Sequence, residues 1–455
     1  MALLNLLRKF ASEINNNFIL LFMRLLNNLL FVIFAMSANA ADGTVGTVSV
    51  QKGNNVSVNG EAPLSLTLDG KDHQSCQFLS KRAPDESHEF TWKEVTTTRG
   101  GELAEILGDQ LRSVDSLVVK GNVNDKDFHA MWDASLYGYL SVINLKNAVL
   151  ENNAVPDTAF FHENEQYEGS SHEIFYYIGL RKIILPEGLE KIGEGAFYQA
   201  SALRQVNFPS TLRYIGDFAF NATKLEMNQL VIPEGVEEIN QYAFAFCRKL
   251  KAQVTLPSTI KKIGEWAFYG CPITSINLPE GLESLGSLSF WDCDLREVSI
   301  PSSCHEFNEG WQFGFNRNLE KMHLPEGMTE IPDHFAVDCF RLREVNFPHT
   351  LKHIGEKAFS LCISLKNVDL PLGMQSLGEE AFSELEALEQ IVFPASMKSL
   401  GKNSCSYWKN IKRIYCAAME PPVCDPTDGG VFSGFDFPDG FDTPVVYIPK
   451  GTINK

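Results

Sequence analysis

A chain of 455 residues with 44% hydrophobic and 21% charged residues is, by composition, neither disordered nor built of many membrane spans. The formal net charge is −18; Arg8, Lys9 and Arg24 less Glu13 give +2 to residues 1–40, which leaves −20 for residues 41–455. An acidic surface of that size argues against nucleic acid as a partner, while a protein partner stays open.

The first 40 residues read as a leader. From Met23 the chain runs through a charged start at Arg24, an apolar stretch and the small-x-small site Ala38-Asn39-Ala40, the three parts of a secretory signal. Cleavage is expected between Ala40 and Ala41, with Met23 as the true start. A membrane anchor over residues 18–36 is the competing reading, and Arg24, Asn27 and Asn28 interrupt it where about 20 mostly apolar residues are needed. No Cys stands directly after the cleavage site to carry a lipid. The mature chain is therefore expected to be secreted or held at the cell surface, with no membrane span of its own.

Residues 41–98 form an N-terminal β-rich segment of no assigned type. Alternation at residues 47–50 and 64–68 reads as exposed strand. Residues 99–156 read as an N-terminal cap of irregular repeats: Leu103, Leu107 and Leu111 share one helical face, Phe128, Met131 and Trp132 a second, and Leu117-x-Val119 and Ile143-x-Leu145 follow as strands. A polar insertion at residues 163–172 is a candidate contact loop or a tolerated excursion.

Residues 157–416 rewrite one phrase. Its clearest copy is Leu203-x-x-Val206-x-Phe208-Pro209-x-x-Leu212-x-x-Ile215-Gly216-x-x-Ala219-Phe220, and the prolines at 186, 209, 233, 257, 279, 301, 325, 348, 371 and 394 mark its beat. A period of about 23 residues is the mark of a solenoid, and the Leu-x-x-Leu-x-Leu core is that of leucine-rich repeats. The expected fold is an α/β solenoid, with short parallel strands on the concave side and short helical turns or loops on the convex side. Gly216, Gly264 and Gly355 are expected to allow a tight bend. The copy at residues 301–311 departs most, with Asn308 in place of Gly and Trp311-Gln312 in place of Ala-Phe. Residues 417–455 leave the period and read as a C-terminal capping segment, whole or truncated, closing on Tyr447-Ile448-Pro449-Lys450-Gly451.

Cys247, Cys271, Cys293, Cys339 and Cys362 recur at one repeat position, which suits a buried column of free thiols rather than disulfides. Cys304 stands where other copies have Leu and Cys405 where they have Phe. Cys416 and Cys424, flanking Pro421-Pro422, are the pair near enough in sequence to bridge.

Catalytic signals are missing: no Gly-x-Ser-x-Gly, His-Glu-x-x-His, P-loop or dinucleotide fingerprint occurs, and no Cys-x-x-Cys pair for zinc. No enzyme activity, cofactor or metal is expected. Outward positions between the buried strand residues form the candidate partner-binding face: Asn207, Gln229, Gln253, Thr255, Asn277, Ser299, His323, Asn346 and Asp369. Such short polar groups on a rigid sheet can hydrogen-bond a partner with little entropy loss, although a solvated sheet face looks the same. No aromatic hot spot is legible there, which disfavours a glycan.

The phrase Leu185-Pro-Glu-Gly-Leu-Glu-Lys-Ile-Gly-Glu-Gly-Ala-Phe197, repeated through Phe382, resembles the BspA-like, treponemal-class leucine-rich repeat proteins of Bacteroidetes type. The cap segment around Leu117 to Phe128 is similar to that of the same family. The resemblance implies exported, surface-associated, non-catalytic proteins that bind host matrix proteins, other bacteria or epithelial cells. Two functions follow as expectations: an adhesin-like protein-binding scaffold, or a structural cell-envelope scaffold without a dedicated ligand.

Overall fold

The computed structural model describes residues 46–51, 55–60, 88–161, 178–424, 430–432 and 444–450. They belong to two compact units, Met1–Glu89 with Asn164–Tyr177, and Phe90–Glu163 with Ile178–Lys455. In the first, β1 (Gly46–Gln51) pairs antiparallel with β2 (Asn55–Gly60), so residues 47–50 are strand as expected. The leader, residues 64–68 and the insertion at 163–172 lie outside the described residues.

The second unit is a parallel array. It opens with β3 (Trp92–Thr97), β4 (Ser116–Val123) and β5 (Val142–Leu150), paired in that order. Among the described residues the α-helices lie here: α1 (Leu103–Leu107) and α2 (Asp125–Tyr137), with Leu103, Leu107, Leu111, Phe128 and Met131 buried as their spacing predicts. The buried carboxylate of Asp127 accepts from the backbone N–H of Gly101, Leu103 and Asn124 at 2.7, 2.9 and 3.0 Å. Three donors make a buried charge tolerable, and they tie the start of α1 to the start of α2.

From residue 180 onward each full repeat but the one that includes residues 366–370 contributes to the array twice. One set of strands carries the Leu-x-x-Val-x-Leu part, as in Gln229–Val231, Gln253–Thr255 and Ser275–Asn277; the middle residue is buried and its neighbours are exposed, as the period of two requires. A second set, not expected from the sequence, carries the Ile of Ile-Gly: Lys191–Ile192, Tyr214–Ile215, Glu238–Ile239 and Lys262–Ile263 stack in parallel register. Two residues are too few to show alternation, so this strand was invisible to periodicity.

The solenoid is as expected, but its convex side is not helical. Around each Ala-Phe pair the chain turns through left-handed residues at positions two before and two after the Phe, such as Phe218 and Ala222 around Phe220, or Tyr242 and Phe246 around Phe244, all with φ between 56° and 59°. A left-handed residue every fourth position is incompatible with an α-helix. Alternate N–H groups instead point to the next turn: Phe220 N–H donates to Ala243 O and Phe244 N–H to Ala267 O, while Ala219 and Asn221 donate back within their own turn. The mean structure is mostly strand and turn.

The Ile-Gly glycine also has a different cause from the one expected. Gly216 is not left-handed; a Cβ there would stand 2.6 Å from the backbone nitrogen of Glu194, and Gly264 and Gly355 meet the preceding turn in the same way. Glycine lets successive turns stack closely rather than bend.

Inside the array the Phe rings form a spine. Phe160, Phe197, Phe220, Phe244, Phe268, Phe290 and Phe313 stack with centroids 5.2 to 5.6 Å apart. This places Phe313, not Gln312, at the Phe position. The departing copy holds one extra residue, and Trp311 takes the left-handed position with φ 66°. Gly310 makes room, since a Cβ on it would lie 1.9 Å from Asp333 O. At the following turn the phrase is inverted to Phe335-Ala336; Phe335 meets Phe313 edge-on at 77°, and Phe307 packs against it from the side.

The Pro-containing corner has its own pattern. From Pro186 to Pro348 copies alternate between Pro-Glu-Gly and Pro-Ser/His-Thr or Pro-Ser-Ser, and Pro371-Leu-Gly and Pro394-Ala-Ser follow. The N–H of left-handed Gly235 donates to Thr259 Oγ1, whose hydroxyl donates to Val236 O at 2.8 Å. Gly188 with Thr211, Gly281 with Ser303 and Gly327 with Thr350 repeat the arrangement. Each Glu accepts from the residue just before that Thr or Ser: Glu234 from Ser258, Glu280 from Ser302 and Glu326 from the backbone N–H of His349. The corner bonds therefore join the turns in pairs.

Candidate functional site

The candidate face is built on the first set of strands. Lys321–His323 lies between Glu297–Ser299 and Glu344–Asn346 in unbroken parallel register, which aligns Ser299, His323 and Asn346 in one row. Thr255 and Asn277 align in the same way. All nine expected residues are exposed except His323, which is half-buried.

They are not equivalent. The amide of Asn207 accepts from Leu185 N–H at 2.7 Å and donates to Leu185 O at 3.0 Å, and Asn346 treats Leu324 identically at 2.9 and 2.9 Å. These two side chains bond the residue just past the end of the neighbouring strand, Leu185 or Leu324, and they offer a partner little. His323 Nε2 lies 3.1 Å from Glu297 Oε1. Asp369 sits in residues 366–370, where the expected strand does not form. Gln229, Gln253, Thr255, Asn277 and Ser299 keep side chains with no hydrogen-bond partner among the described residues.

Charge on this face is largely self-compensated. Glu344 holds Lys321 above its ordinary range through a 3.1 Å bond, and Lys412 holds Glu389 below its own through one of 2.8 Å. Exposed pairs of this kind contribute little to stability.

An aromatic feature was overlooked. Strands Arg413–Cys416 and Val445–Tyr447 continue the row beyond Val392, so that Val392, Tyr415 and Tyr447 align, and the two tyrosine rings stack 4.5 Å apart. The signal was present as Ile414-Tyr-Cys and Val446-Tyr-Ile, two further copies of the strand template. A second row, Phe218, Tyr242 and Trp266, lines the convex side, but its rings stack on one another at 4.6 and 5.2 Å and spend their faces internally.

The buried titratable groups serve packing. Cys271 Sγ donates to Phe244 O at 2.8 Å, and Cys247, Cys293, Cys339 and Cys362 address the carbonyl of the preceding turn in the same way. They are thus weak donors rather than merely small apolar groups, and burial pushes the thiols of Cys271, Cys293, Cys339 and Cys362 up. Cys304 and Cys405 are core, as expected. His334 stacks on Trp311 at 3.6 Å, and burial lowers its pKa to about 4 against the weaker pull of Glu356. Among the described residues no group of three or more His, Cys, Asp or Glu is placed to hold a metal ion, and no helix is long and apolar enough to cross a membrane.

Stacked parallel turns of 22–24 residues with a Leu/Ile/Phe interior define a leucine-rich repeat solenoid. The family model described as BspA type leucine rich repeat region, in six copies, matches residues 170–253, 251–359 and 334–419. The chain belongs to this family of repeat scaffolds. Among solved structures it is similar to a leucine-rich repeat protein from Bacteroides ovatus, 20% identical, with 82% of this chain and 93% of that chain covered and a TM-score of 0.49. A leucine rich cell surface protein from Faecalibacterium prausnitzii is 18% identical, covering 75% and 90%, with a TM-score of 0.34. The leucine rich repeat protein of T. pallidum is 25% identical over 40% of this chain and 76% of that one, with a TM-score of 0.31. None of the curated proteins matches the chain.

Proposed function

We propose that this chain is an exported, non-catalytic scaffold that binds a protein partner through its concave sheet face, in the manner of an adhesin. The observation that carries the reading is the series Gln229, Gln253, Thr255, Asn277 and Ser299: exposed polar side chains without internal partners, the first four on one parallel sheet and Ser299 on the first strand of the next. Their donors and acceptors are available at small entropic loss. Val392, Tyr415 and Tyr447 add an apolar, aromatic anchor of the kind that dominates interface energetics. Asn207, Asn346 and Asp369 hold lesser parts in the site. Residues 99–156, together with the strand Trp92–Thr97 that precedes them, cap the array at its start, and export rests on the leader ending at Ala40, which N-terminal sequencing of the recovered chain would read directly.

The test is retention of the full chain on immobilised extracellular-matrix proteins, compared with Asn277→Arg/Ser299→Arg and Tyr415→Ala/Tyr447→Ala variants. Loss of retention in either double variant, with an unchanged circular dichroism spectrum, supports the concave face. Failure of the unaltered chain to be retained at micromolar concentration sinks the adhesin reading and leaves a structural cell-envelope scaffold.

A further inference from the structure

Of the nine described cysteines seven are buried, and the two that are not, Cys416 and Cys424, lie in the same turn of the array. Cys416 ends the strand Arg413–Cys416 and stands in register with Phe393; Cys424 ends Val423–Cys424 in the other sheet and stands in register with Leu400. Phe393 and Leu400 are core residues, 2% and 5% exposed. In earlier turns this pair of positions is filled by two large apolar side chains that close the corner between the sheets, Leu185 with Ile192 or Leu324 with Ile331. The turn at 416–424 replaces both with small thiols, and the connection through Pro421-Pro422 is one residue longer. Both thiols are free in this structure; burial first, and Cys416 second, push the Cys424 thiol up.

We propose that Cys416 and Cys424 are joined by a disulfide formed by exchange with a low-molecular-weight disulfide once the chain has left the cytoplasm. The thiolate of one cysteine attacks a sulfur of the external disulfide and releases one thiolate from it. The second cysteine thiolate then attacks the protein sulfur of the mixed disulfide and releases the other. Two protein thiols are oxidised, the external disulfide is reduced to two thiols, and the two protons leave with them. The bond staples the two sheets across a corner that no large apolar pair closes. The oxidising setting rests on the export reading; the bond itself does not.

The experiment uses the full chain carrying Cys76→Ser, because Cys76 lies outside the described residues. After incubation with glutathione disulfide at about pH 8.5, where the raised thiol ionises more readily, the chain is unfolded in acid and its free thiols alkylated. The expected mass shows two thiols lost from the nine that remain of ten. Cyanogen bromide cleavage after Met419 leaves the two flanking pieces joined until a reductant is added. Nine alkylated thiols, pieces that part without reductant, or the same loss in a Cys416→Ser chain would overturn the bond. A bond that forms in vitro while the chain recovered from culture medium carries both thiols free would overturn the export step instead.

Discussion

The turns before Phe307 and those after Trp311 are written in the same phrase but held differently. In the earlier stretch the second set of strands runs unbroken from Ala154–Val155 to Glu306–Phe307 and the Phe spine stacks face to face, while the first set is interrupted after Gln205–Val206 and again after Ser275–Asn277. At the departing copy the reverse holds. The second set stops at Glu306–Phe307 and restarts at Glu330–Ile331, and the spine turns edge-on at Phe335, but the first set runs through Glu297–Ser299, Lys321–His323 and Glu344–Asn346 without a gap. No turn loses both sheets. A third ladder, from the N–H at each Phe position to the carbonyl at the next Ala position, continues from Phe160 to Val431 through every one of these joints. Local irregularity is tolerated because each turn is held at three places and gives up at most one sheet at a time.

The largest expected effect tests the spine. Phe244→Ala, in the regular stretch, should cost about 3–5 kcal/mol, read as a fall in the urea midpoint. The Phe335→Ala/Ala336→Phe double variant, which restores the usual order, should recover most of what Phe335→Ala alone loses. A double variant as unstable as the sum of its single changes would show that the edge-on packing with Phe307 is itself required. Next in size is the His334 site. Its folded pKa of about 4 lies below the unfolded 6.5, so its contribution is complete above about pH 6.5 and is lost as pH falls toward about 4. Stability should drop by about 3 kcal/mol across that window beyond the background of the carboxylates, and His334→Phe, which can still stack on Trp311, should flatten this part of the curve. Midpoints measured at both ends of the window for the two proteins decide it. The smallest effect concerns the corner: Thr259→Val removes the acceptor of Gly235 N–H and the donor to Val236 O, and should lower stability by about 1–2 kcal/mol.

Much of the array was legible because burial imposes its period on the text. Val254 between Gln253 and Thr255, or Cys304 in a Leu position, can be placed from the template alone. The second strands escaped because a single inward Ile carries no alternation, and the left-handed turns escaped because residues as unlike as Phe218, Trp266 and Glu380 occupy them. At the departing copy the extra residue shifted Trp311-Gln312 by one place, and only the stacking of Phe313 on Phe290 fixes the register. In the candidate site, outward direction could be read from sequence, but availability could not: Asn207 and Asn277 look alike until the amide of one is found bonded to Leu185. Tyr415 and Tyr447 were readable and were missed by ending the candidate face at Asp369.

The corner bonds give the array a grain. Because Gly235 takes its acceptor from Thr259 while the joint before it is bridged by Arg213 donating to Glu234 O, odd and even joints are chemically different. The natural unit of lengthening or shortening is then two turns, about 46 residues. Excision of a pair leaves every Glu-Gly corner facing a hydroxyl, whereas excision of a single turn sets two corners of the same kind against each other. Duplication and loss in such a gene would keep the count of turns changing by twos.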